Sequence, residues 1–243
     1  RYVSRFAVVP GKCAVVYTNN STAYAHLELL LKAGISIKQV VDSRAMPGQA
    51  ELEVARKNSV SVITNARITR VEGRSAVRGV TVTSESGTKR VSCDLVCHSG
   101  GWNPLIHLYS HAGGKSVFNR DTAAFVPGEL AQEAHCVGAA NGTFSVAGGL
   151  NEADEIARVL VQDLTGQKME SSSLGAEVAE IPYGIDVTWP EKGLKGKAFV
   201  DFQNDVTTAD IALAVRENFQ SIEHVKRYTT TGMGTDQGKT SNI

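Results

Sequence analysis

The sequence predicts an α/β fold of the Rossmann-like, nucleotide-binding kind, and three observations carry the prediction. Short apolar runs of strand length alternate with amphipathic stretches of helix length over residues 12–64. The second run ends in an acid, Asp42, about 20 residues beyond the first strand-to-helix turn, where dinucleotide-binding domains hold a ribose. Two glycine-containing loops, SGGWNP and VGAANG, follow later strand-like runs.

The elements follow in chain order. KCAVVY (12–17), bounded by PG and TNN, reads as a buried parallel strand. STAYAHLELLLKA (21–33) reads as one helix, with Ala23, Leu27, Leu30 and Leu31 on a single face and Gly34 to end it. ISIKQVV (35–41) is the next strand, residues 50–58 a helix and 60–64 a third strand. ARITRVEG, VRGVTVTSE and TKRVSCDLVCHSG alternate in the manner of a small antiparallel insertion, which returns to the parallel sheet through residues 94–98. HCVGAANG is a short strand running into a loop, and GGLNEADEIARVLVQDLTG an amphipathic helix closed by Gly166. Residues 167–197 carry Ser, Gly and Pro punctuation and read as a linker. A strand (KAFVDF), a helix capped by Thr207 or Thr208 and a shorter helix (SIEHVKRYT) complete the chain.

Composition narrows the function classes. Of 243 residues, 42% are apolar and 21% charged, ordinary for a protein with a sizeable core. Lys plus Arg balances Asp plus Glu at 25 each, so nothing in the charge points to nucleic acid or an anionic membrane. No apolar run approaches the roughly 18 residues that span a bilayer. No targeting segment is visible, and a cytoplasmic location is expected. The chain starts at Arg1 without a methionine and ends in polar sequence, and is read as a piece of a longer polypeptide. Cys13, Cys93, Cys97 and Cys136 lack CxxC spacing and read as small buried hydrophobes. His107 and His111 stand four apart without a third ligand at useful spacing, so no metal site is expected. No nucleophile elbow, HExxH motif or Cys/His dyad is present, and no catalytic residue is assigned.

The first strand-to-helix turn is Thr18-Asn19-Asn20-Ser21-Thr22-Ala23, where a dinucleotide-binding turn would carry GxGxxG. Asn tolerates positive φ, and Ser or Thr can cap a helix or donate to a phosphate. The turn is therefore either an anion site without glycines or a nucleotide fold that no longer binds nucleotide here. Asp42 can hold a ribose hydroxyl pair or can pair with nearby Arg44 on the surface. Gly100 and Gly101 let main chain come close to something, and Gly138, Ala139, Asn141 and Gly142 offer N–H groups to a phosphate or a flavin-like ring. Tight turns alone would account for both loops equally.

SGGWNP, AFVPG (124–128), GAANG, and FVDFQNDVT through KRYTTTGMGTDQGKTSN, in this order along the whole chain, resemble the alpha subunit of heterotetrameric sarcosine oxidase. The resemblance implies a Rossmann-like domain of the two-dinucleotide-domain, disulfide reductase-like flavoprotein type. It also implies a small helical domain similar to the [2Fe–2S] bacterioferritin-associated ferredoxin fold, without that fold's cysteines. The implied organisation is a second nucleotide-binding-like domain at 1–103, a return segment to the first dinucleotide-binding domain at 104–166, the linker at 167–197, and the helical domain at 198–243.

By the same resemblance, a beta subunit carries FAD and the amine-oxidising site, and FMN lies at the alpha–beta interface and reduces oxygen. The alpha subunit holds NAD and passes a one-carbon unit to tetrahydrofolate through a downstream domain. Cofactor contact then falls to Gly138, Ala139, Asn141 and Gly142, with Gly100, Gly101 and Asp42 beside them. Aligned on Val206-Thr207 and Gly232-Met233-Gly234, the four cluster-ligand positions of the helical domain become Asp201, Gln203, Asp236 and Ser241. None supplies a thiolate, so the fold is expected without an iron–sulfur cluster. Lys226, Arg227, Thr229 and Thr230, with Lys239 and Thr240, form either a phosphate grip for FMN or a basic surface loop that docks the partner. An opine- or proline-type amine dehydrogenase and a non-catalytic scaffold are the alternatives.

Overall fold

A computed structural model describes residues 1–129, 132–170, 182–187 and 196–238. The chain divides into two compact units, Arg1–Thr188 and Trp189–Ile243.

The first unit is built on four parallel strands. Strands β1 (Cys13–Thr18), β2 (Ser36–Asp42), β3 (Val62–Ile63) and β7 (Leu95–Ser99) lie in the order β3-β2-β1-β7. This is the Rossmann-like order, in which β1 is central and the strand order reverses beside it. Ala14, Val15 and Val16 of β1 are all at most 3% exposed, because both faces of the sheet are covered. On one face, Val16, Ile37 and Val40 pack against Ala23, Tyr24, Leu27 and Ala55 of helices α2 (Thr22–Ala25), α3 (Leu27–Lys32) and α4 (Gln49–Lys57). On the other, Val15 and Val41 pack against Val80, Val82, Ala66 and Cys93. That second cover comes mainly from a three-stranded antiparallel sheet, β4 (Arg67–Glu72), β5 (Gly79–Ser84) and β6 (Gly87–Val91).

Several elements differ from the sequence reading. The single helix expected over 21–33 is two, broken at His26, whose Nδ1 lies 2.8 Å from the carbonyl oxygen of Thr22 and competes with regular helix bonding. The third strand shrinks to two residues, since only Val62 and Ile63 pair with β2. Cys136 and Val137 form no strand, although Val137 is extended, because no neighbouring strand pairs with them among the described residues. Three elements had no strong periodic signal: α1 (Tyr2–Phe6), α5 (His107–His111) and the hairpin of β8 (Ser116–Asn119) with β9 (Ala124–Pro127). Helix α6 (Val146–Thr165) starts on a Ser145 side-chain cap and stops at Gly166 in the left-handed region.

In the second unit, β10 (Phe199–Asp201) pairs with β11 (Val206–Thr207), and helices α7 (Thr208–Arg216) and α8 (Ile222–Thr229) pack together. Thr207 and Asp210 close a reciprocal capping box on α7. Among the described residues, no helix is long and apolar enough to cross a membrane.

Candidate functional site

The first unit places its nucleotide-type motifs at the carboxyl ends of β1, β2 and β7, where ligands bind in open α/β sheets. Asn20, fully buried, organises the turn after β1. Its side-chain amide donates to the Ser99 carbonyl and hydroxyl at 3.0 and 3.1 Å, and its Oδ1 accepts the Thr22 main-chain N–H at 3.1 Å. Sequence reasoning valued Asn20 for its backbone tolerance and missed this cross-strand role, which no local pattern encodes.

Asp42 is fully buried too. It accepts from Tyr24 Oη at 2.8 Å and from Arg44 Nη2 at 2.8 Å, with Nε of Arg44 at 3.1 and 3.3 Å from its two oxygens. The Asp42–Arg44 pair is thus an interior one, and Arg44 extends it to Glu51 at 3.3 Å. Burial first, then the Asp42 charge and hydrogen bond, push the Tyr24 phenol far up, so it stays protonated and donates. A ribose hydroxyl reaching Asp42 would have to displace Arg44.

Gly101 has φ +116°, and a Cβ there would meet Ile185 Cδ1 at 2.7 Å. Gly100, at the exposed start of the same loop, faces the His98 ring. The 3₁₀ turn Gly138–Asn141 lies before α6. Its Gly138 N–H donates to Glu152 at 2.7 Å, Thr143 donates to the other Glu152 oxygen, and Gly138 sits against Gly149 with φ +61°. Gly142 takes φ +88°, and a Cβ there would meet Val126 Cγ1 at 2.8 Å, while Ala139 and Asn141 are exposed.

These loops share a cleft of about 580 Å³. Thr22, Tyr24, His26 and Glu28 line one side, Trp102, Ala139, Phe144 and Ser145 line others, and Tyr183 completes it. Trp102 donates its indole N–H to Thr22 at 3.1 Å, and the Phe144 and Tyr183 rings lie 4.8 Å apart. The structure therefore brings Ala139 to the same cleft as the turn after β1. Asp42, Gly100, Gly101, Gly138, Asn141 and Gly142 do not line it. Tyr183 and its neighbours lie in the stretch read as a linker, where no periodic signal marked them.

In the second unit, buried Asp201 ties two loops together. Oδ1 accepts the N–H groups of Gln203 and Asn204 at 2.8 and 3.2 Å, and Oδ2 that of Gly232 at 2.7 Å. The Gly232 bond, above all, holds the carboxyl below the usual aspartate range, with Asn204 and Gln203 adding to it. Gln203 donates to Thr235 at 2.9 Å, and Asn204 to the Thr230 carbonyl at 3.1 Å. Asp236 accepts from the Gly238 N–H at 3.1 Å, and Ser241, Lys239 and Thr240 lie outside the described residues. A cleft of about 640 Å³ beside these loops is lined by Ile211, Ile222, Val225, Lys226, Thr231, Met233 and their neighbours. Arg227 instead pairs with Glu223 at 3.8 Å. The Thr229 hydroxyl bonds to the Val225 carbonyl, and that of Thr230 to the Thr229 carbonyl. No group of three or more His, Cys, Asp or Glu is arranged to hold a metal among the described residues.

Comparison with known proteins agrees with this architecture. Residues 195–243 match a family described as the sarcosine oxidase A3 domain. The whole chain aligns at 36% identity with the sarcosine oxidase alpha subunit of Rhizobium meliloti strain 1021, and over all its residues at 30% with that of Corynebacterium sp. strain U-96. It spans about a quarter of the length of these relatives, 24% and 26%. Among solved structures, the L-proline dehydrogenase of P. horikoshii shares the fold, with TM-score 0.62 at 20% identity over 98% of this chain and 44% of that one. From end to end, the chain is homologous to a stretch of the alpha subunits of bacterial sarcosine oxidases.

Proposed function

We propose that this chain is part of the alpha subunit of a flavin-dependent oxidase. The complete enzyme would demethylate sarcosine oxidatively to glycine, yielding hydrogen peroxide and 5,10-methylenetetrahydrofolate. The observation that carries the reading is the match to sarcosine oxidase alpha subunits over every residue of the chain. In this reading residues 1–103 are a second nucleotide-binding-like domain, 104–166 return to a first one, 167–197 connect, and 198–243 form the helical domain. FAD belongs to a beta subunit of a heterotetramer, FMN to the alpha–beta interface, and tetrahydrofolate to a domain downstream of this segment.

The residues present suit these roles to different degrees. NAD is assigned to Gly138, Ala139, Asn141 and Gly142, with Gly100 at the edge, because the left-handed Gly138 and Gly142 bring main chain close to a ligand and aromatic rings line the adjoining cleft; Gly101, the other glycine of the sequence reading, instead faces Ile185. Lys226 supplies a cation to the cleft of the second unit, which suits the phosphate of FMN. An iron–sulfur cluster does not fit the helical domain. The described positions aligned with its ligands are Asp201, Gln203 and Asp236, and the Asp201 carboxylate already accepts three main-chain N–H groups. That substitution supports a ferredoxin-like fold that has exchanged its cluster for a carboxylate.

The test uses the full parent chain purified with its partner subunits. The complex is denatured, released small molecules are separated by chromatography, and iron is assayed alongside. NAD and FMN without iron are expected. Iron with acid-labile sulfide would overturn the carboxylate exchange, and absence of both nucleotide and flavin would leave a non-catalytic scaffold as the better reading.

A further inference from the structure

The three places where a Rossmann half handles a dinucleotide all turn, in this chain, toward one short peptide. We infer that residues 182–187 are a resident strap in the nucleotide groove of this half, seated where the pyrophosphate and ribose of a dinucleotide would lie.

The first place is the turn after β1. A nucleotide turn offers its successive main-chain N–H groups to a phosphate. Here three in succession are already taken. Asn20 N–H donates to Thr18 Oγ1 at 3.0 Å, Ser21 N–H to the Gly184 carbonyl at 2.9 Å, and Thr22 N–H to Asn20 Oδ1 at 3.1 Å. The strap pairs with the turn as a strand would: Asn20 and Ile185 form an antiparallel bridge, and Asp186 N–H donates to the Asn19 carbonyl at 2.9 Å. Ser21 Oγ also accepts the Gly184 N–H at 2.6 Å and lies 2.9 Å from the Pro182 carbonyl, to which it donates.

The second place is the acid at the end of β2. Asp42 holds Arg44 on both oxygens, and Arg44 Nη1 donates to the Gly184 carbonyl at 3.3 Å. An acid in the ribose position therefore grips the strap through a guanidinium. The third is the glycine loop after β7. Gly101 needs to be glycine because Ile185 of the strap fills the space of its Cβ, with Tyr183 Oη at 3.4 Å. Three segments far apart in sequence converge on the same six residues, and each uses groups that a nucleotide would otherwise need.

This half consequently holds main chain in place of nucleotide, and any NAD of the subunit is bound elsewhere. The inference stands on the groove's own contacts and does not depend on the proposed activity. It is tested on the full alpha chain with its partner subunits by hydrogen–deuterium exchange, with NAD as the probe. Peptides covering residues 19–22 and 182–187 are expected to be protected after NAD is stripped, and to show no rise in exchange when it is restored. Ser21→Val removes both strap bonds of the hydroxyl, and exchange at 182–187 is expected to rise about tenfold while total NAD content holds. A rise in exchange of more than about twofold at 182–187 on adding NAD would overturn the inference, because it would mean that the nucleotide displaces the strap from the turn. So would unchanged exchange in Ser21→Val. If the protein carries no NAD, the proposed cofactor assignment fails, and the Ser21→Val comparison alone decides on the strap.

Discussion

Replacing Arg44 by methionine separates a structural role for the β2 acid from a surface one. Asp42 is fully buried, Glu51 is 4% exposed and Arg44 7%. Arg44→Met keeps most of the side-chain volume but removes Nε and Nη2 from Asp42 and Nη1 from Glu51 and Gly184. Asp42 would retain only the Tyr24 hydroxyl at 2.8 Å and the main-chain N–H of residue 44 at 2.9 Å. Two carboxylates would then be buried without a cation. Removing one partner of a buried pair costs about 3–5 kcal/mol, a factor of roughly 100 to 4,000 in the unfolding equilibrium. An exposed pair would contribute about 0–1 kcal/mol. The assay is a urea titration read by hydrogen exchange in the β1 and β2 peptides, which isolates the first unit. Adding Asp42→Asn to the variant should recover part of the loss, because the second change removes a buried charge. A loss below about 1 kcal/mol, or strictly additive costs in the double variant, would refute the buried-triad account.

Leu27→Ala should destabilise the first unit by about 2–5 kcal/mol in the same titration, since the side chain is fully buried among Val16, Tyr24 and Val40; a loss under about 1 kcal/mol would mean that the helical cover is loosely packed. The Asp201 carboxyl is held below its ordinary 3.8, so the stability it adds is present above that value and lost as pH falls through the lower folded value. Exchange at residues 201–204 and 230–232 should therefore stay slow, after correction for intrinsic rates, from pH 7 to about 4 and accelerate below it, and Asp201→Asn should remove this acid step. Asn141→Leu should lower the NAD retained by the purified subunit with little change in unfolding midpoint, and unchanged NAD content would remove Asn141 from the site.

The parallel core was legible because its physics is local. Ala14, Val15 and Val16 are apolar in succession because both sheet faces are covered, and the acid after β2 marks the strand's end. The capping box on α7 was legible for the same reason, since Thr207 and Asp210 are three residues apart. The strap was not legible. Residues 182–187 meet the turn about 160 positions away, through main-chain groups that every residue carries. Gly101 gave the one readable clue, a demand for close approach, but a glycine does not say what approaches it. The break at His26 was hidden for a related reason: the apolar face continues through it, and a ring nitrogen bonding to Thr22 leaves no trace in the periodicity.

Both units satisfy the amides of their loops in the same chemical way, with the chain's own oxygens. Where a nucleotide's phosphates would occupy turn amides, the first unit supplies a backbone carbonyl from Gly184 and side-chain oxygens from Thr18 and Asn20. In the second unit, the Asp201 carboxylate accepts three loop amides. Buried N–H groups left without acceptors would each cost about 1–3 kcal/mol, so neither loop could keep its shape without these oxygens. These acceptors let the loops persist. They also bring the strap to the first unit and two loops of the second unit into fixed register. Fixed loops of this kind keep their shape without a ligand, because every contact that holds them comes from the chain itself.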